Sequence, residues 1–367
     1  MRVPLSAPDI TDAEIAAVTQ ALRSGRLSLG PQLEAFESAI AQYTGAQHAV
    51  GVSSGTAGLH LAIRALGLKE GDEVILPSFT FIAAANVLLY ERITPVFVDV
   101  DAATLNLDPS LVESAITPRS RALLVVHTFG VPAALDDLKV ISHRNNLLLL
   151  EDACEAFGAE YSGKRVGSLA DAGIFAFYPN KQITTAEGGV FITQNESLAA
   201  RVRSLRNHGR NESADWLQHA ELGYNYRLSE LHAALGMAQM RRIDAILARR
   251  EEIARGYAER LSGTAGITLP PLDLPNRRIS WFVYVVRLEE KYSQEDRDRI
   301  VKQMASRGIG VGRYFAPIHL QPPYRLLNHP PLPVTEAVGA RTIALPLFNR
   351  ITEAQLDEVA ETLRSLL

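Results

Sequence analysis

Short apolar runs closed by polar or turn-forming residues punctuate the chain from about residue 45 to 210. They read "AVGV" (49–52), "EVIL" (73–76), "PVFVDV" (95–100), "ALLVVH" (122–127), "LLLLED" (147–152), "GIFAFY" (173–178) and "GVFIT" (189–193). Most are apolar throughout rather than alternating, the mark of strands covered on both faces. Helix-length stretches lie between them, among them "GTAGLHLAIRALG" (55–67) and "FTFIAAANVLLY" (79–90). Strands and helices in alternation predict βαβ units and a doubly wound sheet.

The flanks follow other patterns. Thr11 and Glu14 have capping-box spacing and predict a helix ending near Gly25. A second helix, "PQLEAFESAIAQYTG", follows from Pro31. After about residue 228, "LSELHAALGMAQMRRIDAILARREEIARGYAERL" reads as one long helical stretch with room for a bend. A Gly- and Pro-rich loop leads to the strand-like "WFVYVVRL" (281–288). A helix, the segment "GIGVGRYFAPIHLQPPY" and a C-terminal helix from about 352 complete the chain. The expected class is α/β: a mostly parallel central sheet with helices on both faces, plus a smaller C-terminal α+β domain. The boundary is placed near 245, giving a large domain over 1–245 and a small one over 246–367.

Composition narrows the function without choosing it. The 367 residues are 47% hydrophobic and 21% charged, with net charge −4 and both signs scattered. That argues against a nucleic-acid partner. No apolar run reaches the ~18 residues of a membrane helix, and the N-terminus lacks a signal-peptide core. The single cysteine, Cys154, rules out an internal disulfide and fits a cytoplasmic protein. No metal site is expected.

In open parallel sheets, ligands gather beyond the carboxyl ends of the strands. Four features fall there. In "VSSGTAGLHLAI" a strand ends at Ser53–Ser54, and Gly55 and Thr56 open a helix whose free N–H groups suit a phosphate. Asp152 ends the strand "LLLLED", where a buried carboxylate needs a cationic partner. Phe81 lies where an aromatic ring could cover a flat ligand. Lys181 follows "GIFAFY", and a desolvated lysine amine can attack a carbonyl. Singly, a capping serine, an ion-paired acid, a core phenylalanine and a loop lysine explain these residues as well. Jointly they are the parts of a pyridoxal phosphate site.

The ordered segments "SGRLSLGPQLEAFESAI", "LPSFTFIAAANVLL", "EDACEAFGA", "FYPNKQITTAEGG", "LRNHGR", "GYNYRLSELHAALG" and "RYFAPIHLQPPY" resemble the DegT/DnrJ/EryC1/StrS sugar aminotransferases. These are fold type I pyridoxal-phosphate enzymes, and the resemblance covers essentially the whole chain. It implies pyridoxal 5′-phosphate held as an aldimine by Lys181, with pyridoxamine phosphate as the intermediate. It implies Asp152 against the pyridine nitrogen, Gly55 and Thr56 at the phosphate, Phe81 on the ring and Glu155 near the cofactor. Asn225 would reach the phosphate of a neighbouring subunit, which implies a homodimer with shared active sites. Arg227 and His319 would lie near the substrate. The implied reaction is transamination of a nucleotide-linked keto sugar, with glutamate as amino donor. "NKQITTAEGG" leans toward amination at carbon 4 rather than carbon 3.

Three positions depart from the family pattern. Ala176 replaces a serine that binds the phosphate, Ala186 stands where glycine is usual, and Glu155 is acidic where Gln or His is common. Other classes fit the sequence less well; a dinucleotide-dependent oxidoreductase would need a glycine fingerprint that the chain lacks. Relatives that dehydrate sugars carry histidine in place of the lysine, so Lys181 argues against that class. A non-catalytic regulator is disfavoured by the intact Lys181 and Asp152.

Overall fold

The computed structural model describes residues 1–210, 218–327 and 329–367. Seven of the runs form one sheet: β1 (His48–Val52), β2 (Glu73–Pro77), β3 (Thr94–Val98), β4 (Ser120–Val126), β5 (Leu148–Asp152), β6 (Ala172–Ala176) and β7 (Gly189–Thr193). Their order across the sheet is β1-β7-β6-β5-β4-β2-β3. Only β7 runs antiparallel, to both β1 and β6. The sheet is therefore mostly parallel, with helices against both faces, as the continuous apolar runs demand.

Period two divides each strand between two cores. Ile75, Leu123, Val125, Leu149 and Phe175 enter one cluster. Val74, Leu76, Leu124, Leu150 and Ile174 enter the other, on the opposite face. Across the register, Asp152 pairs with Val126 of β4 and with Ile174 of β6, so the carboxyl ends of β4, β5 and β6 lie side by side.

The C-terminal part has its own cluster around Tyr257, Tyr284, Ile300 and Leu356 and a sheet of Ile267–Thr268, Tyr284–Leu288 and Thr342–Leu345. The residue expected to mark the boundary, 245, falls inside the helix Ile243–Leu261. Val3 also belongs to the C-terminal cluster, through a parallel bridge to Ile309. A small cluster including Phe79, Phe129, Phe282 and Val285 joins the two parts.

Several elements differ from the sequence expectations. The long helical stretch breaks into Glu230–Met240 and Ile243–Leu261. At the break, Arg242 is pulled onto Asp9 and Glu14 of the N-terminal segment. The helix expected over 79–90 begins only at Ala83, because Ser78 is engaged by the chain around His319. The strand expected over 281–288 pairs only from Tyr284, because the carbonyls of Trp281 and Phe282 accept from the buried guanidinium of Arg250.

Candidate active site

A cleft of about 300 Å³ opens at the carboxyl ends of β4–β6, within the range of ~300–1,000 Å³ usual for small-molecule sites. Gly55, Thr56, Phe81, Asp152, Glu155 and Lys181 all line it.

One wall is the start of the helix Gly55–Ala65. Ser54 is extended, and its hydroxyl accepts from Ala57 N–H at 3.1 Å, so it caps the helix. Gly55 is required for close packing. A Cβ there would lie 2.7 Å from Ala176 Cβ and 2.9 Å from Cys154 Sγ. A Cβ on Gly189 would lie 2.8 Å from Gly55 N. The missing serine at 176 thus leaves a methyl packed against the helix start.

Neighbouring acids on β5 take opposite roles because successive strand residues face opposite ways. Glu151 is fully buried and accepts from His127 Nε2 at 2.9 Å and from Gly167 and Leu169 N–H at 2.7 Å each. Asp152 faces the cleft, with Oδ1 accepting Cys154 N–H at 3.1 Å. Burial, reinforced by Asp152, pushes the Cys154 thiol well above its usual range, which makes it a poor nucleophile.

Lys181 sits in the turn after β6, its N–H donating to Tyr178 O at 2.9 Å. Its Nζ lies 4.0 Å from the centroid of the Phe282 ring and 3.8 Å from Glu155 Oε1. Burial raises the Glu155 carboxyl above its ordinary value, against the Lys181 charge and the Phe129 N–H that donates to it at 2.9 Å. Phe81 stands exposed at the mouth of the cleft. Asn180 Oδ1 is buried there without a partner.

The remaining candidates stand elsewhere. Asn225 is exposed and bridges Asn207 through the backbone; Arg227 donates to Asn207 Oδ1 at 2.9 Å. His319 is fully buried, with Nδ1 2.7 Å from Ser78 Oγ and Nε2 3.4 Å from Glu336. Burial lowers its pKa. Sequence reasoning missed Phe282, Tyr314, Phe315 and Asn180, all of which line the cleft. Aromatic pairs in "WF" and "RYF" were the available signal, but nothing local ties them to Lys181.

The residues present fit pyridoxal phosphate. The helix start offers N–H groups and no Cβ at Gly55, a carboxylate lies at the base, and a lysine faces the same space. The sheet and this cleft define a fold type I pyridoxal-phosphate enzyme. Comparison with known proteins agrees: residues 8–364 match the DegT/DnrJ/EryC1/StrS aminotransferase family, and this chain belongs to it.

The chain is 40% identical to the GDP-perosamine synthase of Caulobacter vibrioides, covering 100% of this chain and 98% of that protein. The structure of S. venezuelae DesV in complex with a ketimine intermediate matches with a TM-score of 0.91 at 38% identity, over 99% of this chain and 98% of that one. Helicobacter pylori PseC, an aminotransferase involved in the biosynthesis of pseudoaminic acid, matches with a TM-score of 0.96 at 27% identity, over 100% of this chain and 99% of that one. Among the described residues, no helix is long and apolar enough to cross a membrane.

Proposed function

We propose that this chain transfers an amino group from glutamate to the keto carbon of a nucleotide-linked sugar, at carbon 4 of a 4-keto-6-deoxy sugar, as a homodimer. The observation that carries the reading is the meeting of Lys181 and Asp152 in one cleft beside a helix start open to a phosphate. The similarity to a GDP-perosamine synthase favours a GDP-linked substrate.

When bound, pyridoxal phosphate supplies a carbonyl carbon for amines and a ring that withdraws electrons once its nitrogen is protonated. The N–H groups of Gly55 and Thr56 would hold the phosphate, aided by the helix dipole. Asp152 would hold the proton on the ring nitrogen by accepting a hydrogen bond, and its low exposure strengthens that contact. Phe81 would cover the ring and exclude water. Lys181 would hold the cofactor covalently and then, once free, carry a proton on Nζ between donor and acceptor positions. Ala176 contributes no phosphate contact; Tyr178, which lines the cleft, or a water would have to supply one.

The test has two parts. Protein loaded with pyridoxal phosphate and reduced with borohydride should carry the label on the Lys181 peptide; a label elsewhere refutes the site. A panel of GDP-, dTDP- and UDP-linked 3-keto and 4-keto sugars with glutamate should yield an amino sugar, detected by mass. No aminated product from any keto sugar would refute the reaction.

A further inference from the structure

Glu155 is the one acid in the cleft whose surroundings are built around it. The turn carrying Phe129 holds that residue at φ +56°, a left-handed conformation rare for an aromatic residue. The following Gly130 has φ +88°, and a Cβ there would lie 1.8 Å from Ser280 O. This backbone presents Phe129 N–H to Glu155 Oε2 at 2.9 Å. The residue after Lys181 holds the backbone of Glu155 itself: Gln182 Nε2 donates to Glu155 O at 2.7 Å and to Ser280 O at 3.1 Å. The Gln182 side chain thus ties the turn of Lys181 to the backbone of Glu155, with Nζ and Oε1 3.8 Å apart.

We propose that Glu155 is the proton store of Lys181: it is a carboxylate while Nζ is an ammonium, and it takes up a proton whenever that nitrogen is not cationic. The step is a proton transfer only. An N–H bond of the ammonium breaks, its electron pair stays on nitrogen, and an O–H bond forms at Glu155. The pair stays neutral overall, so no net charge is created beside a carboxyl that is only 5% exposed. Glu155 acts through Lys181, as a positioning residue.

The groups facing Glu155 support this assignment. Asp152 and Cys154 come from its own turn, Lys181 from the turn after β6, and Tyr314 from the C-terminal part. The Cys154 thiol and the Tyr314 phenol are pushed up, chiefly by burial, so they already hold their protons. Burial and the Asp152 charge favour protonated Glu155, while the Phe129 N–H and the Lys181 ammonium favour the carboxylate. Without the ammonium, one hydrogen bond remains against burial and a like charge.

The inference rests on the aminotransferase reading for its purpose, but its test does not. Infrared difference spectra of cofactor-free protein at neutral pH read the protonation state of the carboxyl. Wild type should lack a protonated-carboxyl band from Glu155. Lys181→Met, which keeps side-chain bulk without charge, should gain one. The band should vanish in Lys181→Met/Glu155→Gln, and Lys181→Arg should restore the carboxylate. Glu155→Gln keeps an acceptor for Phe129 N–H, so the pocket should stay folded. Identical carboxyl regions in Lys181→Met with and without Glu155 would overturn the proposal, as would a Glu155 band already present in wild type. Failure to aminate any sugar would leave these spectra unaffected.

Discussion

Single residues in the cleft and in the turn after Lys181 carry conformational demands that can be weighed. Ala186 holds φ +67°, with its N–H donating to Thr184 Oγ1 at 2.9 Å. A left-handed alanine costs roughly 1–2 kcal/mol, offset in part by the extra chain entropy that glycine loses on folding. Ala186→Gly is therefore expected to gain up to about 1 kcal/mol in a urea titration, with cofactor retention unchanged. Gly55→Ala goes the other way. Its methyl would meet Ala176 and Cys154, at a cost of about 1–3 kcal/mol. The helix start should shift and retain less pyridoxal phosphate in equilibrium dialysis. Glu155 gives a pH signature. Its folded-state carboxyl is raised, so its contribution to stability is present below the ordinary carboxylate range and is lost as pH rises through the raised value. The melting temperature of Glu155→Gln relative to wild type should thus increase from acid to alkaline pH, and a flat difference would contradict the raised carboxyl.

Elements in this fold are finished by residues far away in sequence. The helix Pro31–Thr44 has Gly30 at its N-cap and no side-chain cap of its own. Glu230, the first residue of the helix Glu230–Met240, supplies the cap instead. Its carboxylate, 1% exposed, accepts the N–H groups of Gly30 and Gln32 at 2.9 Å each and of Leu33 at 3.0 Å. Hydrogen bonds to a charged acceptor contribute about 1.5–3 kcal/mol, so Glu230→Ala should lose at least about 2 kcal/mol of unfolding free energy in a urea titration, and Glu230→Gln less. Such a cap is invisible in "GPQLEAF", which shows only the proline. Other elements show the same limit. Strands were legible because burial on both faces leaves unbroken apolar runs. The direction of β7 was not, since "GVFIT" is equally apolar whichever way it runs. The helix Pro333–Arg341 and the strand Thr342–Leu345 were missed, being short and weakly patterned. In the cleft, Asp152 and Lys181 were legible because each follows an apolar run. Phe282 and Tyr314 were not, because only packing of the C-terminal part against the sheet brings them there.

At the scale of the whole molecule, the cleft gathers residues from the helix start at Gly55 through to Phe315, yet none from the described residues of 206–228. Asn225 and Arg227 belong to that stretch; Asn225 is exposed, and nearby Leu222 is 77% exposed. If Asn225 serves a phosphate, as the family resemblance implies, it would serve the cleft of another copy, in the homodimer we propose. Lys181→Ala and Asn225→Ala subunits should each be inactive alone. In a two-fold dimer of this kind, a hybrid of the two has one site with both residues altered and one with both intact. After full exchange of equal amounts, half the dimers are hybrids with one working site of two, so activity should recover to about a quarter of wild type. If both residues served the cleft of their own chain, every hybrid site would keep one defect and no activity would return. Subunit exchange followed by native mass spectrometry, with turnover measured on the same samples, separates these outcomes.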